Sequence, residues 1–173
     1  MNEKIAILGI VEILSSLSCG IVILFITYRL AKVYGKKKLL IENGNLAYNI
    51  LMAGVLFSVG YIVSGVIQPI LDAYRLLSNS DVSHTELTIG FIGYGGLFIA
   101  IAYILALGIV LLGVKIYSAM TPINEAEEIR NGNIGVAIVL TTIIITLAMF
   151  CSSGITLLIE SFIPYPDLPP RIL

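Results

Sequence analysis

Three stretches of this chain carry no charge at all: residues 43–71, 87–114 and 131–159, which are 29, 28 and 29 residues long. About 20 apolar residues suffice for a helix to cross the hydrocarbon of a bilayer, so each run is long enough to span it. A fourth run, residues 5–28, is broken once, by Glu12. Charged residues are 12% of the 173 and hydrophobic ones 58%. A soluble domain carries roughly 25% charged residues, so the chain is neither a water-soluble domain nor a disordered segment. The fold class expected is an all-α membrane protein with four transmembrane helices and the lipid bilayer as its first partner. A net charge of −1 offers no electrostatic footprint for nucleic acid.

Lys and Arg collect on the cytoplasmic side of short loops. Seven of the ten basic residues fall in two connections: Arg29, Lys32, Lys36, Lys37 and Lys38 after the first span, and Lys115 and Arg130 between the third and fourth. Lys4, Arg75 and Arg171 fall on the other side, so both termini are expected outside. Tyr28 and Tyr117 are assigned to an inner aromatic belt, and Tyr74, Phe162 and Tyr165 to an outer one. Ser83 with Glu86 has capping-box spacing and starts the third span near Thr85. Thr121-Pro122 followed by Asn124 and Glu127 marks a short surface helix ending near Arg130. Its acids Glu125, Glu127 and Glu128 lie opposite Lys36, Lys37 and Lys38.

Aligning Asn43-Gly44-Asn45 with Asn131-Gly132-Asn133 sets an offset of 88, with seven identities over residues 39–72, five of them within residues 41–50. Residues 1–78 then form a first two-helix repeat (spans 5–28 and 45–75). Residues 79–86 form an outer loop, residues 87–163 a second repeat (spans 87–114 and 133–160), and residues 164–173 an extended, proline-rich tail. The two units share one orientation, as parallel repeats do. In the string I-x-N-G-N, glycine can adopt the left-handed conformation that ends one helix, and the second asparagine can cap the next. The two corners are either structural devices or a binding feature.

The string E-x-I-x-x-G-N at residues 127–133, with a weaker copy at residues 41–45, resembles the small bacterial membrane proteins of domain-of-unknown-function family 350, also called YjfL-like. The resemblance covers nearly the whole chain as two tandem units. It implies four spans and a bacterial cytoplasmic membrane, but no activity, cofactor or catalytic residue. The first copy lacks the acidic loop helix and has a basic GKKK run in its place.

Glu12 is the sharpest candidate for chemistry, since an ionisable group inside a span faces the bundle interior or water. Ser15, Ser16 and Cys19 follow it at helical spacing, and Ser64, Gln68 and Asp72 form a comparable stripe on the second span. Counting from the outer ends puts Glu12 level with Gln68, so a hydrogen bond between them is expected. Glu12 is either a pin between helices or a protonatable group near a permeation path. Asp72 and Glu160, equivalent in the alignment, either close each span or form an outer acidic ring. Gly90, Gly93, Gly95 and Gly96, with Ala100, Ala102, Ala106, Gly108 and Gly113, make faces where helices can approach closely, as do Gly54 with Ser58 and Ser16 with Gly20. Cys19 and Cys151 have no metal or redox spacing, and the single histidine, His84, lies in the outer loop. Hydrolase, metalloprotease and phosphate-loop motifs are absent, so neither enzyme, metal nor cofactor is expected. The sequence supports a non-enzymatic scaffold or partner subunit, acting as a homo-oligomer or beside another membrane protein. The alternative is an oligomeric ion or small-solute channel or transporter with Glu12 near the path.

Overall fold

A computed structural model describes residues 3–37, 40, 44–78 and 84–162, with side chains at 9–10, 12–37, 40, 44–72 and 93–162. Five helices follow one another: α1 (Glu3–Lys37), α2 (Leu46–Ser78), α3 (His84–Met120), α4 (Glu125–Arg130) and α5 (Ile134–Glu160). No strand occurs among the described residues. Within α1, α2, α3 and α5 lie apolar segments of 26, 27, 28 and 27 residues, each able to cross a membrane. At about 1.5 Å per residue each exceeds the ~30 Å hydrocarbon layer. The chain is an all-helical, multi-pass integral membrane protein whose apolar faces meet lipid.

Two helices outrun the charge pattern. α1 continues through the basic segment to Lys37, and α3 continues past Lys115 to Met120. Neither tail contains glycine at a helix-ending conformation or proline, and Lys and Arg are good helix formers, so a charge ends the hydrocarbon crossing without ending the helix. Ser83, Asn43, Lys38, Tyr165 and the proline-rich tail lie outside the described residues.

The helix directions follow from a few contacts. Thr141 donates to the Ile50 carbonyl and Thr156 to the Gly65 carbonyl, both at 3.3 Å and both across 91 positions of sequence. Thr141 also packs on Gly54, and Ser152 and Thr156 on Gly65. A near-constant separation along two helices means that they run parallel, so α2 and α5 lie side by side in the same direction. α1 is antiparallel to α2, with Leu24 against Gly60 and Tyr48 against Gly35.

The core lies among α2, α3 and α5. Val59, Ile62 and Val66 of α2, Ala102 and Ala106 of α3, and Ala137, Leu140, Ile144 and Ala148 of α5 are essentially inaccessible. In lipid the hydrophobic effect does not drive helix association, so close packing at small residues and interhelical hydrogen bonds do. Gly113 seats Ile144 and Gly54 seats Thr141, where any side chain would collide. Tyr117, expected at the lipid interface, is instead 6% exposed. The overlong α3 carries it into the end of the core, where its carbonyl accepts from Thr121. α1 is peripheral: 11% of its spanning segment is buried, against 28–33% in the others.

Candidate functional site

The described polar side chains concentrate at the end where α1 finishes and α2 and α5 begin. The second Asn-Gly-Asn string has one task per residue there. Asn124 caps α4 by accepting from the Glu127 amide at 3.3 Å. Glu125, Glu127 and Glu128 occupy its first turn and Arg130 its last, the arrangement the helix dipole favours. α4 ends with Asn131 as its C-cap. Gly132, at φ 83°, donates to the Ile129 carbonyl, and Asn133 donates to the Glu128 carbonyl, at 3.0 and 2.9 Å. This bond pair is the Schellman closure, and its left-handed position suits glycine because no Cβ opposes it. Asn133 then caps α5, accepting from the Val136 amide at 3.2 Å, while its own amide donates to Glu128 Oε2 at 2.6 Å.

The first corner repeats half of this. Gly44 has φ 94°, and Asn45 Oδ1 accepts from the Tyr48 amide at 2.9 Å. Its carboxamide nitrogen turns elsewhere: it donates to the carbonyls of Ile129 at 2.8 Å and Arg130 at 3.0 Å. Asn45 thus caps the start of α2 and holds the end of α4, joining two segments 85 positions apart. The Ile129 carbonyl thereby takes a bond beside that from Gly132, and the Arg130 carbonyl in the last turn gains a partner from outside the helix. Ile129, 2% exposed, pins the same turn where α4 meets α2 and α5. The two strings are one joint.

Residues 91–163, which hold α3 beyond its first turns, the joint's second string and α5, match the family described as Domain of Unknown Function (DUF350). The match lies within the second half of the chain and likens this segment to that family. The family description names no activity, and the resemblance read from residues 127–133 rests inside the matched segment. Neither the curated proteins nor the solved structures contain a match to the chain. Within the matched segment the residues of the E-x-I-x-x-G-N string have structural duties at the joint.

The other predicted residues are more scattered. Lys36 and Lys37 are exposed on the last turn of α1, and among the described residues no ion pair joins them to the acids of α4. Glu125 instead accepts from Ser118 and Glu128 from Asn133. Toward the opposite end, Glu12, Ser15, Ser16 and Cys19 are half-buried, and Ser15 donates to the Glu12 carbonyl at 3.0 Å. Ser15 and Cys19 reach a cleft of about 200 Å³ completed by Ile67, Ile70, Leu71, Gly95, Gly96 and Ile99. From α2 the cleft receives Ile67, Ile70 and Leu71, whereas Ser64 and Gln68 are exposed and do not line it. The two polar stripes are therefore not brought together at the cleft. Asp72 and Glu160 are both half-buried. Among the described residues no cluster of His, Cys, Asp and Glu is disposed to hold a metal.

Two tethers escaped sequence reading. The Tyr48 hydroxyl donates to the Ala31 carbonyl, holding α1 at the joint, and Gly35 makes room for its ring. Thr141 and Thr156, four helical turns apart on one face of α5, bond the α2 backbone. Their register on one face of an uncharged helix was the available signal.

Proposed function

We propose that this protein is a non-enzymatic membrane scaffold or partner subunit that works as a homo-oligomer. The observation that carries the reading is the contrast between a filled core and open outer faces. Among the described residues the buried polar side chains are Thr27, Ser58 and Ser152. Thr27 bonds the Ile23 carbonyl, and none of the three lines the cleft, so among the described residues the buried polar side chains do not line a passage. Outside, α3 presents Gly93, Leu97, Ala100, Ile104, Gly108 and Leu111 along one exposed face. A Cβ at Gly93 or Gly108 would meet nothing within the protomer. On α2 the exposed stripe includes Asn49, Ser64 and Gln68, polar groups that hydrocarbon disfavours and a neighbouring helix can satisfy.

In this reading both termini lie outside, and α1 with α2 and α3 with α5 are two copies of one hairpin in a bacterial cytoplasmic membrane. Parallel α2 and α5, with contacts bracketing the 88-residue offset, support the duplication. The experiment is purification in mild detergent with mass determination, together with solute flux from liposomes. An oligomer without selective flux is expected, and Gly108→Leu with Ala100→Leu should reduce it to smaller species. Selective flux, or a monomer at all concentrations, would overturn the scaffold reading.

The channel reading keeps one specific support, the half-buried Glu12 above Ser15 and Cys19 beside the cleft. Glu12→Gln separates the two: a structural pin predicts unchanged assembly with no pH effect, and a path predicts flux that changes with this substitution.

A further inference from the structure

We propose that the lipid-facing side of α1 at its lysine-rich end is a binding site for an anionic phospholipid headgroup. At 3.6 residues per turn Phe25, Arg29, Lys32 and Lys36 share one face of α1. All four are exposed. The opposite face carries Ile23, Thr27 and Gly35, which are buried, and Ala31, whose carbonyl holds Tyr48. The cations therefore point away from the protein's own core. The acids of α4 do not screen them, since α4 packs on α5 and α2 and, among the described residues, no ion pair involves Arg29, Lys32 or Lys36.

Depth turns this stripe into a site. Arg29 to Lys36 covers about 10 Å along the axis. The interfacial layer on one side of a bilayer is only roughly 5–8 Å thick, so with Lys36 in water Arg29 lies at the edge of the hydrocarbon. Helical side chains lean toward the N-terminus, which in α1 is the direction of the membrane interior. The contacts follow that lean: the Arg29 guanidinium sits 4.9 Å from the centre of the Phe25 ring, and the Lys32 ammonium 5.6 Å from that of Tyr28. Each ring shields one side of its cation and leaves the other open. Guanidinium offers paired donors that match a phosphate, and a lipid carries that phosphate at this depth with its acyl chains along the apolar residues above. Phe25, one turn deeper in the membrane, and Ile21 and Val22, two turns deeper, are exposed and supply that surface.

The inference concerns a surface the scaffold and channel readings share, so its failure leaves both standing. The test reconstitutes the full chain in vesicles of equimolar phosphatidylglycerol and phosphatidylcholine and measures lipid retained after detergent extraction by native mass spectrometry. Preferential retention of phosphatidylglycerol is expected. Arg29→Gln should lower it about fivefold, the value of one cation near an anionic surface, and Arg29→Gln with Lys32→Gln and Lys36→Gln should abolish it. Arg29→Lys keeps the charge but loses the paired donors and should fall between the parent and Arg29→Gln, whereas Lys115→Gln on α3 should leave retention unchanged. Raising the salt should weaken retention by the unaltered protein, which needs no variant to fold. Equal retention of the two lipids, indifference to salt, or a triple variant that keeps the preference overturns the proposal.

Discussion

Replacing Asn45 by alanine tests whether the two corners are one joint. The side chain makes three bonds: it caps α2 at the Tyr48 amide and donates to two carbonyls at the end of α4. Loss of an N-cap costs about 1 kcal/mol. The bond to Ile129 is half-buried and contributes about 1 kcal/mol, whereas the exposed bond to Arg130 is largely replaced by water and contributes less, roughly 0.5 kcal/mol. Asn45→Ala should therefore destabilise the fold by about 2–3 kcal/mol. Asn133→Ala loses a comparable cap but only an exposed bond to Glu128, and should cost about 1–1.5 kcal/mol. The measurements are unfolding in mixed micelles and amide hydrogen exchange read at α4. Asn45→Ala should deprotect the amides of Ile129 to Asn133, 85 positions away, and Asn45→Asp should do so too, because it keeps the acceptor that caps α2 while losing both donors. Equal costs for the two alanine variants, or α4 protection unchanged in both Asn45 variants, would refute the joint.

Gly132→Ala should cost about 1–2 kcal/mol from conformational strain alone, since φ is 83° and a Cβ would meet nothing; equal stability to the parent in chemical unfolding would contradict this. Gly54→Ala forces a methyl against the Thr141 side chain and should cost about 1–3 kcal/mol, with partial recovery on adding Thr141→Ser, a non-additivity that a double-mutant cycle in micelles would detect. Gly35→Ala displaces the Tyr48 ring and should loosen α1 from α2, raising crosslinking access to Thr27 while the contacts of α2 with α5 stay protected from exchange.

The joint was legible in the sequence because its determinants are local. A glycine between two asparagines at a helix boundary has few favourable conformations, and Gly44 and Gly132 adopt the left-handed one while Asn45 and Asn133 cap. What local reasoning could not supply is where each spare amide goes. Asn133 finds Glu128 one turn back, but the position aligned with Glu128 in the first string is Leu40, which has no acceptor in its side chain. The amide of Asn45 is thereby left to reach across the chain to α4. Gln68 illustrates the opposite error. Polar groups within a span were expected to turn inward, but α2 has neighbours on three sides, and the face that shuts its core is made by Ile62, Val66 and Ile70; Ser64 and Gln68 fall on the remaining one.

Residues 88 positions apart also differ where α3 is buried and α1 is exposed. Beyond Gly95, the positions that α3 buries are Phe98, Ala102, Ala106, Val110, Gly113 and Tyr117. Set back by 88 they become Ile10, Leu14, Ser18, Val22, Phe25 and Arg29 on α1, and every one of those is exposed. Alanine and glycine let α3 approach α5 closely, with Ile144 seated on Gly113. Leucine and phenylalanine at the matching places on α1 hold a partner off, and an arginine where α3 has Tyr117 would carry an unpaired charge into the core. Large apolar residues and an arginine on this face of α1 thus accompany its peripheral place, where small residues accompany the central place of α3.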